Sequence, residues 1–180
     1  MEKEHNWRPA ALALTVIGVV SRLVPHPWNF TPVGSASLFS GARVSGWQAY
    51  LIPLAIMAIT DPILNAVNHV PLFSYMQFFI YFSFVLSVVI GRRLWSSENM
   101  PRIALASLIN STQFFLITNF GVWVGSTQFA HTAAGLGACY VVAIPFFAYT
   151  VFGDLFFAGA IFGVYAWLSR THMARQFSNA

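Results

Sequence analysis

From Leu72 to Gly91, and again from Ile103 to Gly153, the chain contains no Asp, Glu, Lys or Arg. An α-helix crosses the hydrocarbon core of a bilayer with about 20 apolar residues, and in lipid every backbone polar group must be satisfied within the protein. Runs of this kind therefore restrict the chain to self-satisfied helices in a membrane. Only 8% of the residues are charged, 57% are hydrophobic and the mean hydropathy is +0.66, whereas soluble domains carry about 25% charged residues. The reading is an all-α integral membrane bundle. At about 20 residues per span plus loops, 180 residues make six crossings in a single transmembrane domain, 1–180.

The charges then orient it. Six crossings put Lys3, Arg8, Arg43, Arg92, Arg93, Arg102, Arg170 and Arg175 on one face and Arg22 alone toward the other. Basic residues favour cytoplasmic loops, so both termini are expected in the cytoplasm, with the protein in the cell inner membrane. The net charge of +4 follows from these flanking cations and implies no nucleic-acid partner; it faces the anionic leaflet of the lipid bilayer. No Ala-x-Ala cleavage pattern follows the first apolar run, which reads as a retained helix, not a signal peptide.

The expected helices cover 9–24, 32–42, 46–66, 72–94, 102–120 and 140–168. Helix one begins at Pro9, a favoured first-turn residue, and stops at Pro25 and Pro27. Helix two is short and rich in Gly, Ala and Ser, residues that let backbones approach closely in lipid. Helix three contains Pro53, with Asp61-Pro62 near its outer end, and the aromatic helix four reads as lipid-facing. Helix five bears Asn110, Ser111, Thr112 and Gln113 at mid-depth, a stripe that must face protein. The segment 119–139, with four glycines, reads as a long outer loop, and such loops are usually functional.

Three ionisable residues fall inside the spans: Arg22, Asp61 and Asp154. A lone carboxylate at mid-membrane costs on the order of 3 kcal/mol or more. Asp154 is therefore either hydrogen-bonded to the polar stripe of helix five or functional, and the sequence leaves both readings open. Asp61 is expected to pair with Arg22. A second constellation gathers outside, where three loops each offer an aromatic ring or His beside an Asn. The candidate binding residues are His26, Trp28, Asn29, Phe30, Asn65, Asn119, Trp123 and His131, since stacking surfaces with amide partners hold planar ligands. The histidines show no metal-ligand spacing, and the single Cys139 rules out multi-cysteine zinc signatures. With no Gly-x-Ser-x-Gly, His-Glu-x-x-His or Gly-Lys-Ser/Thr motif, neither an enzyme nor a cofactor is expected.

On Thr31-Pro32-Val33-Gly34-Ser35-Ala36, Ile59-Thr60-Asp61-Pro62 and the fifth loop, the layout resembles the substrate-binding S components of energy-coupling factor (ECF) vitamin transporters. The run Pro25 to Gly34, Thr60-Asp61, Asn119 to Trp123, Pro145-Phe146-Phe147 and Gly153-Asp154 looks more closely like a DUF6580-like family of uncharacterised bacterial transport proteins. The resemblance implies high-affinity capture and uptake of a small hydrophobic or heterocyclic nutrient, such as a vitamin, corrinoid or aromatic compound, with an ECF coupling subunit and its ATPases as partner. Helix one departs from the Ala-x-x-x-Ala docking pattern, offering Ala11 and Thr15. Two other readings stand beside this one: a proton- or ion-coupled transporter using Asp154 and Asp61, and a scaffold subunit of a larger membrane complex.

Overall fold

The structure, a computed structural model, describes residues 8–25, 29–95 and 97–178, with side chains from 13 to 171. It is all-helical, in chain order α1 (Arg8–Leu23), α2 (Val33–Arg43), a 3-10 segment (Gly46–Tyr50), α3 (Leu51–Val67), α4 (Tyr75–Arg92), α5 (Met100–Gly125) and α6 (Ala133–Ser178). Four helical stretches are long and apolar enough to cross a membrane: Gly46–Val67, Tyr75–Arg92, Met100–Gly125 and Ala133–Thr171. Their outward faces carry Ile59, Ile63, Phe78, Phe82, Leu105, Ile109, Val141, Phe152 and Phe156. A soluble monomer rarely exposes so continuous an apolar surface, which acyl chains would cover. The chain is a membrane protein.

The shortest helix occupies the centre. At 11 residues, α2 is about 16 Å long, too short to cross the core by itself, and Val33 through Ala42 are all buried. It touches every other helix. Small residues allow this: a Cβ on Gly41 would stand 2.1 Å from the Val88 carbonyl oxygen of α4, and one on Gly91 would stand 2.1 Å from that of Leu38. The two backbones are therefore in direct contact, as small-residue interfaces in lipid permit. The serines do not burden this interior, because Ser37 donates to the Val33 carbonyl and Ser40 to that of Ser37.

Arg43, Arg92 and Arg170 gather at one end of the bundle. Arg43 donates to the carbonyls of Leu94 and Ser97, Arg92 to that of Gly46, and Arg170 pairs with Glu98 at 3.1 Å. Its guanidinium stacked near Phe162 and Tyr165, Arg43 caps the C-terminal carbonyls left over there. At the opposite end α3 closes with a Schellman turn, in which Val70 N–H reaches the Asn65 carbonyl and His69 N–H that of Ala66. His69 takes the left-handed position at φ 55°, where glycine is usual.

Several expectations are corrected. The segment 119–139 is not one long loop: α5 runs on to Gly125 and α6 begins at Ala133, so Asn119 and Trp123 are helical and Cys139 lies within α6. Gly121 and Gly125 serve close packing instead of breaking the chain, since a Cβ on Gly121 would strike Phe79 and one on Gly125 would strike Tyr75. The sixth helix is 46 residues long, not the span 140–168. Pro53 lies in the first turn of α3, where no N–H partner is lost. Nor does α4 face lipid all round: Phe78 and Phe82 do, while Ser83, Phe84, Ser87, Val88 and Gly91 are buried.

Candidate functional site

A half-open cavity of about 1110 Å³ enters the bundle at the end away from the basic cluster. Every helix contributes: Arg22 from α1, Gly34 from α2, Asp61 from α3, Ile80 and Phe84 from α4, Asn110 and Phe114 from α5, Thr150 and Asp154 from α6. Asn29, Asn65, Asn68 and Phe73 surround the mouth. Asp154 and Asn110 lie about midway along their helices and form the floor.

The floor is built on a buried carboxylate. Asp154, 4% exposed, accepts at Oδ2 from Ser111 Oγ at 2.7 Å and Asn110 Nδ2 at 3.2 Å. Asn110 is held in turn by Gln113, whose Nε2 also reaches the Ser83 carbonyl and Ser87 Oγ. Among the described residues Gln113 Oε1 and Ser107 Oγ are buried without a hydrogen-bond partner. On the other side of the carboxylate stands the start of α2. Ser35 Oγ donates to the Asp154 carbonyl at 2.8 Å, and a Cβ on Gly34 would come within 2.4 Å of Oδ1. The first N–H groups of a helix have no internal partner and carry the positive end of its dipole, so a carboxylate is favoured there.

Phe30 explains why α2 starts so deep. Its ring packs 5.2 Å from Phe157 and 6.1 Å from Phe156, over Gly153, where a Cβ would meet it at 3.2 Å. The chain entering from α1 is thus anchored on the middle of α6, and Pro32, at the N-cap, begins α2 beside Asp154. Asn29 takes φ 62° in this segment, a conformation that Asn tolerates better than most residues.

The wall carries the second charged group. Arg22 meets Asp61 Oδ1 at 2.9 Å and also donates to Thr60 Oγ1 and Met57 Sδ. Asp61 Oδ2 accepts from Tyr81 at 2.9 Å and Gln77 at 3.5 Å. The expected pair is therefore present and fixed by α4, with side chains 18% and 9% exposed.

Of the residues singled out from sequence, Arg22, Asn29, Asp61, Asn65 and Asp154 share this cavity. Phe30 packs behind it. Asn119, Trp123 and His131 lie elsewhere: Trp123 donates to the Ala130 carbonyl at 2.9 Å and the His131 ring meets the Trp123 carbonyl at 2.9 Å, fastening the α5–α6 turn, while Asn119 bonds back to the Phe115 carbonyl of its own helix. Lys3, His26 and Trp28 lie outside the described residues. Sequence reasoning missed Gly34, Thr150, Gln77 and Tyr81. The spacings Thr150–Asp154 and Gln77–Tyr81, each i to i+4 on one helix face, were the available signal. Among the described residues no group of three His, Cys, Asp or Glu could hold a metal ion.

Residues 3–176 match a protein family described as "Family of unknown function (DUF6580)". Comparison with curated proteins and with solved structures returns no significant match.

Proposed function

The chain belongs to the DUF6580 family, and since membership brings no activity with it, we propose from the site that this is a membrane transport protein capturing a small nutrient in the cavity. The cavity carries this reading. Its volume of about 1110 Å³ is at the upper end of small-molecule sites, which are mostly apolar with a few placed polar groups. Here Met57, Ile80, Phe84 and Phe114 supply apolar wall, while Asn65, Asn110 and Asp154 supply polar points. A vitamin-sized ring compound suits such a lining.

The same reading places six helices in a bacterial inner membrane, α1 rising, Pro32 at mid-depth and α2 completing the return. The basic end is then cytoplasmic, both termini lie there, and the cavity opens outward as in an S component. The energising partner follows less closely. Gly18 of α1 is taken up inside the bundle, where a Cβ would meet Ile56 Cδ1 at 2.4 Å, and the exposed face shows Val16, Ile17 and Val20. An ECF coupling subunit would have to dock on bulky side chains, so the proposal includes a solitary or differently partnered carrier. A gradient-coupled carrier is favoured by one observation, that Asp61 and Asp154 line the same cavity.

Medium depletion tests the proposal. Cells producing the protein should remove one small compound from the medium faster than cells producing Ile80→Trp, which adds an indole to the cavity wall. Equal depletion, or enrichment of the compound outside, would overturn capture and uptake. Depletion abolished by Asp154→Asn and by collapse of the proton gradient would select the coupled carrier over an ATPase-driven one.

A further inference from the structure

Resting on the capture reading, we propose that the cavity takes a small organic cation, whose protonated amine or quaternary nitrogen meets Asp154 while its apolar body lies against Ile80, Phe84 and Phe114. The argument is one of charge. Among the described lining residues the ionisable side chains that carry charge at neutral pH in water are Arg22, Asp61 and Asp154, a net charge of one negative when all three are ionised. Arg22 and Asp61 neutralise each other at 2.9 Å, and Arg22 is further occupied by Thr60 and Met57.

Asp154 is left. Among the described residues the salt bridges are Arg22–Asp61 and Arg170–Glu98, so no described cation answers this carboxylate. Ser111 and Asn110 give it neutral hydrogen bonds, and the α2 terminus contributes the equivalent of about half a charge. These orient and support the anion without cancelling it. In a buried site of low dielectric a full counter-charge is worth far more than in water, and the cavity delivers its occupant to this carboxylate. The rings of Phe84 and Phe114, 5.5 Å apart, add faces that attract a cation. An anion of the same shape would meet two carboxylates and no unengaged arginine.

Thr150 provides the probe position. It lines the cavity one turn from Asp154 toward the mouth, and its hydroxyl bonds within its own helix, to the Phe146 carbonyl. In membranes holding the Cys139→Ser, Thr150→Cys protein, the modification rates of two methanethiosulfonates would be compared, one bearing trimethylammonium and one bearing sulfonate. Each rate is divided by that with a free thiol in solution. The cationic reagent should be favoured by about tenfold or more, and adding Asp154→Asn should bring the ratio close to one. Should that variant not fold, the ratio at Thr150→Cys is set against that at Asn68→Cys at the mouth, which should be several-fold smaller. A ratio near one or inverted beside an intact Asp154 overturns the cation assignment and leaves the capture cavity standing. Reaction of neither reagent at Thr150→Cys, with both reacting at Asn68→Cys, overturns the cavity and the capture reading together.

Discussion

Two buried carboxylates are held by different means, and the difference sets what each can do. Asp61 has a full partner in Arg22 with Tyr81 and Gln77 completing its shell, whereas Asp154 has neutral donors and a helix terminus. The first is a brace between α1, α3 and α4. Removing one partner of such a pair leaves a charge stranded, and Arg22→Ala should cost about 3 kcal/mol. Arg22→Ala with Asp61→Asn should cost less than the sum of the two single changes, with a coupling of about 1–3 kcal/mol. Thermal melting of the four proteins in one detergent measures this, and additive losses would show that the contact contributes nothing. Both carboxylates were legible as sequence, because an ionisable group in lipid must find a partner and only a few residues lie at its depth.

Among the elements, α2 decides the architecture. An 11-residue helix of Gly, Ala and Ser would be a poor surface element in lipid, yet it suits a centre where backbones must approach. The contact between Gly41, Gly91 and the carbonyls of α4 and α2 leaves no space for a methyl group. Gly91→Ala should therefore destabilise by about 1–3 kcal/mol, a fall of several degrees in Tm for a chain of about this size. Gly163→Ala, with nothing within 4 Å of its added Cβ, should be neutral or slightly stabilising. Equal melting of the two variants would contradict the close-packed α2–α4 seam. The order of the helices was readable from apolar runs and prolines, but the 119–139 boundary was not. Glycines at 121, 125 and 135 look like breakers in a sequence, and only the neighbouring helices reveal that they make room for Phe79, Tyr75 and the Ala130 carbonyl.

Across the whole molecule, the basic cluster of Arg43, Arg92 and Arg170 and the cavity mouth lie at opposite ends, and the interior path stops at Asp154 halfway. Under the proposed carrier reading, a site open to one side and closed at mid-depth is the arrangement that alternating access uses. Cavity membership was the least legible feature, since it depends on contacts between residues as far apart as Arg22 and Asp154. Nothing local distinguishes Asn65, which lines the mouth, from Asn119, which bonds back to a carbonyl of its own helix. The loops that looked most like a binding face divide between the two roles. Native mass spectrometry of protein released gently from its membrane, as wild type, Ile80→Trp and Trp123→Ala, tests the central claim most directly. The account predicts a small molecule bound one to one in the wild type, retained in Trp123→Ala and lost in Ile80→Trp. A ligand lost in Trp123→Ala but kept in Ile80→Trp, or no ligand in any of the three, would contradict it.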